Sequence, residues 1–566
     1  MRTTPPADQC ARVLRLQAWL AAQEGGPVSC IETHISWVLL TPQHAYKLKK
    51  AVDLGFIDQR SLAARQHACE EELRLNRRTA PALYLGVVGV SEAGALVPGS
   101  PTSPASRSSS PALDAADFAV CMRRFDPAQT LDRLLAATWP APAGAASPAS
   151  TPTPTPTPEL SAVWAVRTDA LIDQIVALHA SAQPVRGEGF GLMSDLHAAT
   201  GESPAQWLAL ARGAQERAQL QRTVAWLQAQ EAALAPLCRA RREAGFVREL
   251  HGDLHLGNVC LFEGRVTVFD GIDFNASLRT IDTLNDLAFL LMDLHAKGAS
   301  ALAWRALNRY LDATGDHAGL PLLPMCMVWR ALVRFKVARL KDAASTGAEA
   351  GTGAGTELGV AGQAELALCL RLLRPPTPGL VLMHGVSGCG KTAVSQGLLG
   401  VWGAVRLRSD VERQRMASSG RYAPAQVAAV YARLHTLAEA ALRAGQRVIL
   451  DATHLDAAQR QAAIAIAEHL GCPWAIVHVQ APLAVMRERI QARRLAGDAS
   501  EADEAVLAQQ WAQHGDGWDG LSAQEQARAL RCDTTLPLSH WARPEAWSGL
   551  ARLGGLLGGL LGGLLG

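Results

Sequence analysis

From residue 379 onward the sequence repeats one pattern four times: a short apolar run, a turn, and a stretch of helical periodicity. The runs are GLVLMHG, AVRLRSD, QRVILDA and WAIVHVQ. Near-continuous apolar runs belong to strands buried on both faces, and helices between successive strands make parallel crossovers. This part of the chain is therefore constrained to an α/β fold, a parallel sheet wrapped by helices. The turn after the first run adds a chemical constraint. GVSGCGKT at 385–392 satisfies the spacing GxxxxGK[ST], with Gly385, Gly390, Lys391 and Thr392 in register. The glycines let the backbone curl so that the N–H groups of the loop, through Ser387, Gly388 and Cys389, converge on phosphate oxygens, and the following helix adds its dipole. Lys391 supplies a point charge to the β- and γ-phosphates, and the Thr392 hydroxyl suits magnesium. The spacing predicts a nucleoside-triphosphate site.

Ligands of such sheets bind at the carboxyl ends of the strands. Asp410 and Arg413 follow the second run, where a carboxylate can orient or deprotonate a hydroxyl. Asp451 ends the third and could enter a magnesium shell. Arg489 and Arg493 lie four apart on one helix face and could clamp a transferring phosphoryl group; a solvated helix face is the plain alternative for both. Together the loop, the Asp410/Arg413 pair and the Arg489/Arg493 pair resemble the small P-loop kinases of the polynucleotide-, gluconate- and shikimate-kinase type, over about 376–540. That resemblance implies that Asp410 engages the acceptor hydroxyl.

A second constellation lies at 251–286. HGDLHLGN runs from His251 to Asn258, and VFDGIDFN follows at 268–275. One carboxylate on a tight loop, an amide five residues later and a second acid at a strand end are the parts of a kinase-type phosphotransfer site. His251 and His255 read as structural, since no third metal ligand stands near. HGDLHLGN resembles the catalytic loop of the aminoglycoside-phosphotransferase branch of the protein-kinase-like fold. The resemblance implies Asp253 as catalytic base, Asn258 and Asp270 as magnesium ligands, with Asp273 the alternative to Asp270, and Asp286 as a brace for the loop. Upstream, HAYKLKK matches the strand of the ATP-phosphate lysine. Lys49 is the first choice; Lys47 shares its side of an extended strand, and Lys50 points the other way. CEEELRLNRR offers the helix glutamate that pairs with the lysine, Glu71 ahead of Glu70 and Glu72, and CMRRF at 121–125 falls at the adenine hinge. The sequence departs from that family in lacking a Gly-rich segment before the lysine strand, where THISWVLLT stands, in reading DGI at 270–272, and in two Pro/Ser insertions.

Organisation and composition complete the expectation. Of 54 Lys+Arg only seven are lysines, four of them Lys47, Lys49, Lys50 and Lys391. A planar guanidinium does not readily replace a compact ammonium, so scarce lysines mark the two phosphate sites. The net charge of +2 and 5% aromatic content disfavour a nucleic-acid partner, which calls for basic grooves and stacking rings. Eleven scattered cysteines without a CxxC do not form a disulfide framework. No signal peptide and no apolar run of about 20 residues is evident, so a cytoplasmic protein is expected. Segments 98–111, 140–158 and 344–362 read as low-complexity or flexible, and Gly/Leu repeats fill the tail. The expected layout is a protein-kinase-like bilobal α+β domain over 1–375, a P-loop domain over 376–545 and a tail over 546–566. The function expected is transfer of the γ-phosphoryl group of ATP, with Mg2+, to hydroxyls of small-molecule acceptors. The alternatives are a catalytically silent kinase-like module governing the P-loop half, and a polynucleotide-kinase-like nucleic-acid end-processing enzyme.

Overall fold

The computed structural model describes residues 4–53, 57–97, 114–139, 156–200, 203–348, 362–374, 376–416, 424–496 and 503–552. The insertion at 98–111, most of that at 140–158 and most of the tail lie outside the described residues. So does most of 344–362, although the helix Leu323–Ala348 runs into its start. Contacts divide the chain into two compact units. The first is Met1–Thr138, Asp173–Asp293 and Met325–Cys369; the second is Trp139–Ile172, Leu294–Pro324 and Leu370–Gly566. The expectation put the boundary near 375, whereas 139–172 and 294–324 group with the P-loop sequence.

The first unit opens with the helix Ala7–Glu24, which the sequence reading did not anticipate, and a six-stranded antiparallel sheet. Its strands are β1 (Ser29–Glu32), β2 (Ser36–Leu40), β3 (His44–Lys49), β4 (Tyr84–Val90), β5 (Leu96–Val97) and β6 (Asp117–Arg123), in the order β1-β2-β3-β6-β4-β5. Strand alternation gives the sheet two apolar faces. Val13, Leu16 and Leu20 of the first helix pack with Trp37, Leu39, Tyr46 and Leu48 on one. On the other, Cys69 of the helix Leu62–Asn76 packs with Tyr84, Val87, Phe118 and Val120. That helix starts where the Ser61 hydroxyl accepts from the Ala64 N–H. The rest of the unit is mainly helical, with β7 (Val247–Glu249) paired to β10 (Thr280–Asp282) and a hairpin of β8 (Val259–Phe262) and β9 (Arg265–Val268).

The second unit holds five parallel strands: β11 (Gly379–His384), β12 (Val405–Arg408), β13 (Arg447–Asp451), β14 (Trp474–Gln480) and β15 (Ala529–Asp533), in the order β12-β13-β11-β14-β15. Every residue of β11 is buried, as expected for a strand covered on both faces. The order reverses around β11, so the crevice at its carboxyl end is the topological switch point. Asn308, on the helix Ser300–Thr314, accepts from the Arg406 N–H and donates to the Ala404 carbonyl, covering the open edge of β12. Residues His317–Asp342 are long and apolar enough to cross a membrane, but 72% of that window is buried within the fold, as in a core helix.

Candidate active sites

In the first unit, alternation along β3 places Lys47 and Lys49 toward the helix Leu62–Asn76. Lys50 faces the opposite way, where it pairs with Glu32 at 2.6 Å and lies over the Trp37 ring. The carboxylate between the two lysines is Glu72. Its Oε1 takes Lys47 Nζ at 2.9 Å and its Oε2 takes Lys49 Nζ at 2.6 Å. This corrects the expectation of Glu71, which instead binds Arg74 at 2.7 Å and Arg279 at 3.0 Å. The reason is helical geometry: Glu72 shares a face with buried Ala68, Cys69, Leu75 and Asn76 at spacings of three and four, and Glu71 is turned about 100° away.

The two lysines differ in their surroundings. Lys49 is fully buried and pairs with Asp273 as well as Glu72. Lys47, 15% exposed, donates to Asp270 Oδ1 at 2.7 Å, and Asp270 is 45% exposed. The lysine that meets the strand-end aspartate and solvent is thus Lys47, and the first choice, Lys49, is the buried anchor. Burial opposes the charge on Lys47, but Asp270 and Glu72 outweigh it and hold its pKa well above the ordinary value. Asp270 adopts φ 60°, unusual outside glycine, with its N–H on the Tyr84 hydroxyl at 3.2 Å. The next N–H, of Gly271, donates to Asn76 Oδ1 at 2.8 Å.

The loop 251–258 brings Asp253 and Asn258 together. Asn258 Nδ2 donates to the Asp253 carbonyl and to Asp253 Oδ2, each at 2.9 Å. That leaves the Asn258 amide oxygen available to a hard cation. Burial would raise the Asp253 pKa, but the His255 ring, 3.5 Å away, together with His251 and Arg334, outweighs it and holds the carboxyl below its ordinary range. Asp286 braces the loop: Oδ1 accepts from the Gly252 N–H at 2.9 Å, and Oδ2 from the His251 N–H at 3.3 Å. Gly252 has φ 82°, and a Cβ there would lie 2.8 Å from the Leu278 carbonyl oxygen, so no other residue fits. The histidines serve the loop. His251 Nε2 meets the Phe269 carbonyl at 3.0 Å, and His255 Nδ1 accepts from the Gly257 N–H at 3.1 Å. Among the described residues, no group of three or more His, Cys, Asp or Glu could hold a metal; the pair Asn258 and Asp270 would need phosphate and water oxygens to complete a magnesium shell.

In the second unit, the loop 385–392 joins β11 to the helix Lys391–Trp402. Gly385 takes φ 136°, and a Cβ there would meet the Val479 carbonyl oxygen at 2.4 Å. Lys391 Nζ lies over the loop, 2.9 Å from the carbonyl oxygens of both Gly385 and Val386. Asp451 stands below: Ser395 Oγ donates to its Oδ2 at 3.0 Å, and buried Arg406 reaches Ser395 Oγ at 3.2 Å and the Thr392 carbonyl at 3.4 Å. Asp410 forms a 2.6 Å pair with Arg413 within the helix Ser409–Arg415. Arg489 leaves its own helix face for the loop. It donates to the Cys389 carbonyl at 3.3 Å, to Thr534 Oγ1 at 2.7 Å and to the Thr534 carbonyl at 2.7 Å. The Arg493 side chain lies outside the described residues.

Sequence reasoning did not single out Ser395, Arg406 or Thr534. Ser395 was legible as the residue three after Thr392 on a helix, and Thr534 as the residue after a fifth strand, RCD, that was not recognised.

Residues 380–515 match a family model described as an AAA domain. Uncharacterized proteins of Mycobacterium tuberculosis and Mycobacterium bovis are each 27% identical over 507 residues, covering 86% of this chain and 90% of theirs. Among solved structures, a choline/ethanolamine kinase family protein from Mesorhizobium loti aligns over 64% of this chain and 96% of its own, at 14% identity and TM-score 0.34. A gluconokinase from Sinorhizobium meliloti aligns over 31% of this chain and 94% of its own, at 22% identity and TM-score 0.24.

Proposed function

We propose that the chain is an ATP- and Mg2+-dependent phosphotransferase with two nucleotide sites, each moving a γ-phosphoryl group to a hydroxyl of a small-molecule acceptor. The observation that carries this reading is the loop 385–392, at the switch point of the parallel sheet, with Lys391 over it and the Ser395–Asp451 pair beneath it. In the first unit the meeting of Lys47, Glu72 and Asp270, and that of Asp253 with Asn258, supports the second site.

Magnesium, held by Asn258 and Asp270 in one site and by Thr392 and Asp451 in the other, would supply charge neutralisation on phosphate oxygens. The chain's own groups do the rest. Lys47 and Lys391 each bring a cation to the phosphates. Asp253 accepts a hydrogen bond from the acceptor hydroxyl and orients it. A loose transition state asks for positioning and electrostatics more than for early deprotonation, so a weakly basic carboxylate suffices. Asp410, steadied by Arg413, does the same at the P-loop.

One observation favours a silent first unit. The turn between β1 and β2 holds no glycine, and the Thr33 hydroxyl already accepts from the N–H groups of Ser36 at 2.9 Å and Ile35 at 3.4 Å. Those amides are spent internally and offer less to a phosphate. Transfer of labelled γ-phosphate from ATP to a panel of alcohols, sugars and nucleosides decides between the readings. Two product classes are expected, one lost in Asp253→Asn and the other in Asp410→Asn. If no product depends on Asp253, the first unit is a module; if none depends on either residue, the proposal falls.

A further inference from the structure

The third residue of the phosphate loop has a partner that the phosphotransferase reading does not use. The Ser387 N–H, expected to face a phosphate oxygen, donates instead to Gln510 Oε1 at 2.8 Å, across 123 residues of sequence, which corrects the expectation for that amide. Gln510 sits on the helix Glu504–His514, where Asp503 accepts from the Val506 N–H at 2.9 Å. Leu507 of that helix is buried in the core that also contains Val386 and Cys389, and Trp511 packs against the same core. The helix is therefore fixed to the core beneath the loop by residues on either side of Gln510 in sequence.

We propose that Gln510 is a positioning residue of the P-loop site, presenting amide N–H donors to the terminal phosphate of the bound triphosphate. This rests on the phosphotransferase reading. Two observations lead there. A backbone N–H can only donate, so the Gln510 carboxamide must turn Oε1 toward Ser387, which leaves both Nε2 donors on its other side. The end of the loop at which this happens is marked by Lys391, whose ammonium lies 2.9 Å from the carbonyls of Gly385 and Val386, the two residues just before Ser387. That ammonium serves the β- and γ-phosphates, so the Ser387 end of the loop is the terminal-phosphate end. Neutral donors fixed beside an oxygen that gains charge during transfer stabilise it without reorganising. A side chain that bonds the loop and faces the terminal phosphate also distinguishes a triphosphate from a diphosphate.

The test is nucleotide competition on the full chain with MgATP and MgADP, counting as P-loop binding only what Lys391→Ala removes. Gln510→Met keeps length and helix propensity but has neither donor nor acceptor. Gln510→Glu keeps the acceptor for Ser387, loses both donors and adds a negative charge. Gln510→Met is expected to weaken MgATP about 10-fold, the loss of roughly one good hydrogen bond to a charged group, while MgADP stays within about 2-fold. Gln510→Glu is expected to weaken MgATP further, because its charge faces the same phosphate, with thermal stability unchanged because the acceptor for the Ser387 N–H is kept; Gln510→Met, which strands that N–H, should melt slightly lower. If Gln510 only satisfies the Ser387 N–H, Gln510→Glu binds MgATP like the wild type, or Gln510→Met weakens both nucleotides equally; either result overturns the proposal. Absence of any Lys391-dependent binding in the wild type would overturn the phosphotransferase reading itself, and the proposal with it.

Discussion

Replacing Lys49 and Lys47 separately by methionine separates an anchor from a working cation. Lys49 is fully buried, and its partners are nearly so: the Glu72 side chain is 1% exposed and the Asp273 side chain 6%. In Lys49→Met, Glu72 keeps Lys47 as a partner, but Asp273 loses the ammonium and stays buried. Removing one member of a buried pair costs about 3–5 kcal/mol, because the abandoned charge remains desolvated. For a large domain roughly 2–4 °C accompanies each kcal/mol, so the first unit should melt roughly 6–20 °C lower. Lys47→Met differs. Lys47 is 15% exposed, its partner Asp270 is 45% exposed, and Glu72 retains Lys49. Water reaches the abandoned carboxylate, and the loss should be about 1 kcal/mol. Nucleotide binding by the first unit should nevertheless weaken severely, since Lys47 is the cation beside Asp270. Differential scanning calorimetry of the full chain, with nucleotide titration of each variant, measures both effects. A wild-type melting profile for Lys49→Met, or intact nucleotide binding in Lys47→Met, would refute the division of labour.

Two further outcomes follow from the geometry. His384, His454 and His478 are fully buried, and burial lowers their pKa values to about 2, 4 and 4. An unfolded histidine takes up its proton near pH 6.5, so below that pH the unfolded state binds more protons. Stability is therefore complete above about pH 6.5 and is lost as pH falls toward 4; a urea midpoint for the second unit that does not drop between pH 7.5 and pH 5 would contradict this. Gly252→Ala forces a Cβ to 2.8 Å from a carbonyl oxygen at φ 82° and should cost about 2 kcal/mol or more. It should also displace the Asp253 loop, so unimpaired transfer from the first unit would be evidence against the role of that loop.

The parallel sheet and its loop were legible because each apolar run, the glycine spacing and the following helix agree. Strand alternation likewise separated Lys47 and Lys49 from Lys50. Choosing between Lys47 and Lys49 was not possible from the strand alone, because the choice depends on Asp270 and Asp273, more than 220 residues away. Glu71 and Glu72 were distinguishable in principle by the period of buried residues along their helix; three consecutive glutamates hid that period. The grouping of 294–324 with the P-loop sequence was not legible, because it rests on packing between segments nearly 100 residues apart, of which the Asn308 bonds to Ala404 and Arg406 are one part. The reach of Gln510 to Ser387 is of the same long-range kind.

A chain with two nucleotide sites binds two molecules of MgATP at equilibrium, and that stoichiometry can be counted. Two are expected in the wild type, one in Lys391→Ala, one in Lys47→Met, and none when both substitutions are combined. A single MgATP per chain that Lys391→Ala abolishes and Lys47→Met leaves untouched would contradict the account, leaving a P-loop enzyme joined to a unit that binds no nucleotide.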